Sequence, residues 1–453
     1  MIFSVSKYEN IRSLLMESKH EMPRREFLGA SAGLTLATFA VGGAAHAAEE
    51  KLAIDGGAKA VTATSPTLPR FGAPERERLE EMIKQDTLFY WKGPQTTIFT
   101  ERFKAICPLE HVMTCSSGTA ALHIAVGAAG LVPGDEVITS PITDIGTVIG
   151  VIYQQGVPVF ADLLPSELTL DPADVRRRIT PKTKAIIAVH LAGNPSRMEE
   201  LRAIADEHKL VLIEDACQAW GAKYRGKPIG TLGDIACWSL QNSKHITTGD
   251  GGVVASSHPV YGPKLQQYGD KGFNRATSGW ESFSTNYRMS EPQAAVLAGQ
   301  LTRLESIVST RARLGNLLTE NIQGVPGVLP HAVHPEDRCV YWFYMFRLDP
   351  AAFTCDRAQF SKALAAEGVP CSPGYIPVPV HRSDVFQKHA FFNGHWTIKE
   401  AGMTDMDYTK VETPEAEAIL TTGMRVTIHE SNTDEQILQY AAAIKKVATH
   451  YKA

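Results

Sequence analysis

The sequence predicts an α/β protein: a mostly parallel sheet in a large domain, followed by a smaller C-terminal α+β domain. Three observations carry this. Short apolar runs alternate with helical stretches between residues 110 and 255. The chain has 453 residues, more than one compact core usually holds. A break at Pro326 to Pro330 precedes a stretch with strands and helices of its own. The expected limits are 49–325 for the large domain with an N-terminal arm and 326–453 for the small one.

Composition narrows the class. The hydrophobic and charged fractions, 44% and 21%, are those of an ordinary soluble globular chain. A net charge of −4 gives no reason to expect nucleic acid or an anionic membrane as partner. Seven cysteines are scattered without a C-x-x-C pair, so neither a disulfide framework nor a metal site is expected. Cys217 and Cys237 lie in apolar runs and read as small core residues.

Residues 1–48 differ in kind. Arg24-Arg25 precede a mildly apolar Ala/Gly/Leu run that ends near Ala45-His46-Ala47, an A-x-A cleavage pattern. This is the layout of a twin-arginine signal, so the mature protein is expected in the periplasm or outside the cell. Cytoplasmic residence is the alternative if the signal is not used. The run is short and weakly hydrophobic for a membrane anchor, and no membrane span is expected in the mature form. Met22 is an alternative start.

The elements follow in order. Glu75 to Lys84 and Gln95 to Ile106 read as helices, separated by the aromatic turn Phe89 to Pro94. Val112 to Cys115 reads as a strand, and Ser116 to Thr119 as a small-residue turn into an alanine-rich helix. Gly118 permits close backbone approach there, and the helix N-terminus presents free N–H groups to an anion. Strands follow at Glu136 to Ser140, Val157 to Ala161, Ala185 to Leu191 and Leu210 to Ile213. Asp171-Pro172 caps a helix running to about Ile179, and Met198 to Lys209 is another. Further strands are Ile235 to Leu240 and Val253 to Ala255. One long helix is expected from Glu291 to about Leu318, then a strand Tyr341 to Leu348 and helices Asp356 to Glu367 and Asp434 to Lys446.

The stretch Ile213 to Gly252 carries the chemistry. One strand ends on Glu214 and Asp215; another leads to Lys244 and the turn Gly249 to Gly252. Strand ends in open α/β sheets line the binding crevice, so an acid and a lysine placed this way can meet one ligand. Pyridoxal phosphate needs that pair: an amine for the aldehyde and a carboxylate for the ring nitrogen. A lone lysine beside glycines is otherwise a solvated surface residue.

Four ordered motifs then become informative together. They are Ser117 to Leu122, Glu214 to Ala219, Ser239 to Lys244 with Thr247 to Gly252, and Asn286 to Ser290. In this order they resemble the DegT/StrS family of pyridoxal-phosphate sugar aminotransferases, over roughly residues 50–450. The resemblance implies the aspartate-aminotransferase type of fold, fold type I. It implies that Lys244 is the Schiff-base lysine and that Asp215 pairs with the pyridinium nitrogen. Gln218 matches the residue beside the ring oxygen, Ser239 a phosphate-binding hydroxyl, and Gly118 and Thr119 the phosphate turn. Asn286 matches a residue that reaches the neighbouring subunit's phosphate, which implies a homodimer. Glutamate or glutamine is then the amino donor, and a keto-sugar or keto-cyclitol the acceptor.

The chain departs from the family at Asp250, where glutamate is usual, and at His245, where asparagine is usual. Asp144 stands where many members place an aromatic that stacks on the cofactor. Asp144 is therefore expected to face the crevice and meet substrate hydroxyls, or to sit near Lys244 and tune its charge, or simply to cap the next helix. Tyr375 and His381 match a loop that borders the site in relatives. Two other functions fit the same scaffold: a dehydratase, in which histidine replaces the lysine, and a non-catalytic binding or regulatory protein. Arg225, Arg275 and Arg288 are equal candidates to hold a donor carboxylate.

Overall fold

The computed structural model describes residues 51–453; the expected signal over 1–48 lies outside them. A seven-stranded sheet forms the centre. Its strands are β1 (His111–Cys115), β2 (Glu136–Thr139), β3 (Val157–Phe160), β4 (Thr183–Val189), β5 (Val211–Asp215), β6 (Ile235–Ser239) and β7 (Gly252–Ser256), in the spatial order β1-β7-β6-β5-β4-β2-β3. The pairs β2–β3, β2–β4, β4–β5 and β5–β6 are parallel; only β7 runs against its neighbours. The sheet is thus mostly parallel, as the βα alternation predicts. Strands β3, β5, β6 and β7 are buried along their whole length, which explains why they read as continuous apolar runs without a polar face.

The first helices are α1 (Ala73–Ile83) and α2 (Pro94–Ile106). Helices α3 (Gly118–Ala128), α4 (Gly146–Tyr153), α5 (Pro172–Arg178) and α6 (Met198–His208) connect the strands. The Asp171 side chain caps α5 by accepting from the Ala173 N–H, with Pro172 at the first position.

The single long helix expected from Glu291 is two helices, Glu291–Leu301 and Leu304–Ile322. The sequence has no proline at the break. Instead the Thr302 hydroxyl donates to the Gly299 carbonyl at 2.7 Å, and Arg303 is drawn to Glu75 at 2.6 Å. The second of these helices joins two cores. Leu304 and Val308 belong to the core of the large sheet, and Leu314, Leu318 and Ile322 to a second core.

That second core packs around a four-stranded antiparallel sheet: β8 (Val328–Pro330), β9 (Tyr344–Leu348), β10 (Cys371–Pro373) and β11 (Gly423–Val426), ordered β8-β9-β11-β10. β9 begins three residues later than the sequence suggests. Tyr341 takes a left-handed backbone, φ 40°, and Val340 and Trp342 donate to the Gly193 and Ala192 carbonyls instead of to a strand. This bend aims Trp342 at the end of the large sheet. Among the described residues no helix is long and apolar enough to cross a membrane.

Candidate active site

Sheet register builds the site. Gly252 pairs with both Cys115 and Ser239, so the end of β1, the end of β6 and the start of β7 lie side by side. The N-terminus of α3 therefore opens next to Ser239. A Cβ added at Gly118 would stand 2.7 Å from the Ser239 Cβ and 3.0 Å from the Cys217 sulfur, so only glycine fits. Ser117 caps α3 by accepting from the Ala120 N–H. The first helical bond comes from Ala121 to the Ser117 carbonyl, which leaves the Gly118 and Thr119 N–H groups for an anion.

A cavity of about 410 Å³ opens there. Gly118, Thr119, Asp144, Asp215, Gln218, Ser239, Lys244 and Tyr375 all line it. Eight of the ten candidate residues are thus brought together. The two others lie elsewhere. Asn286 is exposed and is not on the cavity wall. His381 is fully buried, its ring 5.2 Å from that of Phe160, and does not border the cavity. The Val380 N–H donates to the Pro141 carbonyl, which seats the Val380–Arg382 turn among aromatic side chains. Burial there pushes the His381 imidazole down to about 4, so it is neutral at ordinary pH.

Alternation along β5 separates the two acids that end it. Glu214 points away from the cavity and accepts from the Gly230, Leu232 and Gly233 N–H groups, a structural role. Asp215 points into it. Its Oδ1 accepts from the Cys217 N–H at 3.1 Å, and its Oδ2 from the Thr147 hydroxyl at 2.7 Å. The Thr143 hydroxyl meets that of Thr147 at 2.7 Å. These two threonines were missed from sequence; their recurrence four residues apart around Asp144 is the only local signal.

Lys244 is 7% exposed. Burial pushes its amine below the usual lysine range, against the pull of Cys217, Asp215 and Asp144. Its Nζ sits 3.6 Å from the centre of the Trp342 ring, and the Trp342 indole donates to the Ser243 carbonyl at 2.8 Å. Arg70, from the N-terminal arm, donates to the Lys244 carbonyl. Gln218 accepts from the Ala192 N–H at 2.8 Å and reaches the Tyr375 hydroxyl at 3.3 Å. Tyr375 stacks on Phe343, ring centres 5.0 Å apart. Asp144 accepts from the Gly146 N–H at 2.8 Å, so it turns the chain into α4 and faces the cavity at once.

The donor set fits pyridoxal phosphate. A helix N-terminus and Ser239 offer an anion cradle, Asp215 a carboxylate, and Lys244 a buried amine without a hydrogen-bonded acid. Histidine does not take the place of the lysine; His245 points away and meets the Val340 carbonyl at 2.9 Å.

The model of the DegT/DnrJ/EryC1/StrS aminotransferase family matches residues 69–445. The chain belongs to this family. Its members are pyridoxal phosphate enzymes of fold type I, and the chain is an aminotransferase. It is 35% identical over 328 residues to GDP-perosamine synthase of Caulobacter vibrioides, covering 70% of this chain and 85% of the relative. It is 31% identical over 425 residues to L-glutamine:2-deoxy-scyllo-inosose aminotransferase of Streptoalloteichus tenebrarius, covering 88% and 98%. The solved structure of 3-amino-5-hydroxybenzoic acid synthase superposes with a TM-score of 0.75 at 26% identity, covering 87% of this chain and all of that one.

Proposed function

We propose that this DegT-family aminotransferase carries pyridoxal phosphate on Lys244 and moves an amino group from an amino acid, glutamate or glutamine, to a keto-sugar or keto-cyclitol. One observation carries the reading: the buried amine of Lys244 and the buried carboxylate of Asp215 share one cavity with a helix N-terminus. The relatives named above, a perosamine synthase and a scyllo-inosose aminotransferase, support the acceptor class.

The bound cofactor supplies an electron sink for a carbanion at the donor's α-carbon. The residues do the rest. The N–H groups of Gly118 and Thr119 and the Ser239 hydroxyl bind the phosphate. Asp215, held by Thr147 and Cys217, keeps a proton on the ring nitrogen. The Lys244 amine, favoured as neutral by burial, takes the proton from the α-carbon and can return it elsewhere. Trp342 and Tyr375 exclude water from one side.

The polar wall at Asp144 suits a polyhydroxylated acceptor. Its carboxylate is exposed to the cavity, where a stacking ring would leave no acceptor for a hydroxyl. A panel of keto-sugars and keto-cyclitols with glutamate and glutamine tests the class; no amine product from any pair sinks it. Within the panel, Asp144→Asn and Asp144→Phe are expected to slow acceptor turnover about 10-fold or more, the scale of one lost polar contact. The donor half-reaction, read by cofactor absorbance, should persist. Equal loss of both halves would assign Asp144 to the cofactor instead.

We also propose a homodimer with shared sites. In the segment that carries Asn286, large apolar side chains face out: Phe283 is 97% exposed and Trp280 68%, and Phe89, over which Arg288 lies, is exposed too. Asn286 lies outside its own cavity; its Oδ1 accepts from the Arg288 N–H at 3.4 Å, and its exposed amide is proposed to serve a second copy's cavity. Mixing inactive Lys244→Ala with an inactive Asn286→Ala variant should restore part of the activity if chains exchange. Fully active monomer on sizing would refute this.

A further inference from the structure

A base that takes a proton inside a cavity becomes a cation there, and a cation out of water needs a partner. An acid as partner would hold the proton and give it back slowly. With no partner the proton would not be taken. Lys244 avoids both extremes. Among the described residues no acid is hydrogen-bonded to its amine, which rests instead on the face of Trp342, 3.6 Å from the ring centre. An aromatic face is negative and attracts a cation without offering a lone pair to the proton.

The ring and the lysine are held by one clamp. Ser243 and His245, the residues on either side of Lys244, both bind the segment that carries the ring. The Trp342 indole donates to the Ser243 carbonyl at 2.8 Å, and His245 Nε2 donates to the Val340 carbonyl at 2.9 Å. The same segment is tied to the large sheet's loop by the Val340 and Trp342 N–H groups, which donate to the Gly193 and Ala192 carbonyls at 3.1 and 2.9 Å. His245, which stands where asparagine is usual, thereby fixes the distance between Lys244 and its ring.

Few charges face the amine. Burial is the largest influence and pushes it below the usual lysine range; Cys217, Asp215 and Asp144 act the other way. Arg425, in β11, adds to the effect of burial, and its guanidinium carbon lies 6.0 Å from the centre of the same ring. Burial pushes His245 well below the usual histidine range, so it is neutral. The arginines singled out in the sequence are held elsewhere, Arg225 by Glu199, and Arg275 and Arg288 by the buried Asp270.

We propose that the face of Trp342 receives the Lys244 ammonium between the moment it takes the proton from the donor's α-carbon and the moment it returns it, so that Trp342 is a catalytic residue of the transfer. The α C–H bond breaks and an N–H bond forms on Lys244. The electron pair stays with the donor carbon and the cofactor, and the ammonium gives up the proton to become an amine again. Contact with the ring strengthens as the amine gains charge, so it lowers the barrier rather than merely tightening binding. This rests on the aminotransferase reading.

The test places tryptophans carrying one, two or three ring fluorines at position 342, which drain the negative face while keeping its shape, beside Trp342→Phe and Trp342→Leu. In one arm L-glutamate and L-glutamine are added to the pyridoxal-phosphate enzyme without acceptor, and the decay of the cofactor's visible band gives a rate constant. It is expected to fall with each fluorine, by about 3- to 30-fold over the series, the range of a cation on an aromatic face. Trp342→Phe, which keeps a ring, should lie between wild type and Trp342→Leu. The other arm needs no turnover. In the pyridoxamine-phosphate form, where the Lys244 amine is free, lysine labelled with ¹³C at Cε is titrated by NMR, the signal being the one lost in Lys244→Ala. A ring that favours the ammonium raises the midpoint, so the midpoint should fall along the fluorinated series by about one pH unit. A midpoint or a rate constant that is flat across that series overturns the proposal. So does a midpoint that rises in Trp342→Leu, which would show that the ring only excludes water. If Trp342→Leu does not fold, the fluorinated series decides alone. If wild type responds spectrally to no amino acid, the aminotransferase reading itself falls; an unmoved midpoint in an active enzyme sinks only the role of Trp342.

Discussion

Lys244→Ala is expected to lower amino transfer by at least about 10⁴-fold, the upper range for removing a positioned proton-transfer group. In the proposed mechanism two functions are lost in one change: the amine that would carry the cofactor and the base that would work at the donor's α-carbon. Fold should persist, because Lys244 ends a turn held by backbone bonds, Lys244 N–H to the Gln241 carbonyl at 2.9 Å and Leu240 N–H to the Gly251 carbonyl at 2.8 Å. Removing the side chain leaves the Trp342 face uncovered but breaks no hydrogen bond of that side chain. The measurement is steady-state turnover together with borohydride reduction and peptide mapping. In wild type the cofactor should be fixed to the peptide that contains Lys244. Labelling of another lysine, or turnover within about 10-fold of wild type, would remove Lys244 from this role.

Asp215→Asn is the second large effect. Turnover is expected to fall by about 10²–10³-fold, the scale of losing one preorganised electrostatic contact. An amide cannot keep a proton on a ring nitrogen as a carboxylate does, so the sink for the carbanion weakens. The amide oxygen can still accept from the Cys217 N–H, and the fold should survive with a small shift in melting temperature. Cofactor absorbance should remain but move, because the protonation of the ring changes. Near-normal turnover with unchanged absorbance would contradict the assignment.

Much of the large sheet was legible because its signals are local. Buried parallel strands are short apolar runs, and helices declare themselves by caps such as Asp171-Pro172. The same locality explains the two misplaced elements. Nothing between Glu291 and Leu318 breaks helical periodicity; the break at Thr302 depends on Glu75, some two hundred residues earlier in the chain. Tyr341 reads as strand by residue type, yet the carbonyls of Ala192 and Gly193 claim its neighbours.

For the site, the sequence alone determined the residues that sit at element ends. Lys244 and Asp215 follow from two strands and their exits and Gly118 from a helix start, while Gln218, Ser239 and Thr119 came only from the resemblance of the ordered motifs to a known family. Strand ends converge in any open α/β sheet, so their chemistry can be inferred without coordinates. Only the tertiary structure decided what surrounds them. The pleat of β5 sent Asp215 to the cavity and Glu214 away from it. Packing of the second sheet brought Trp342 to Lys244 and left Arg425 beside it without a counter-ion. It also carried His381 into the aromatic core, although Tyr375, on the same loop, reached the cavity. The placements of Trp342, Arg425 and His381 turn on contacts between segments far apart in the chain, whose free energies depend on shape and burial and leave no periodic mark in the sequence.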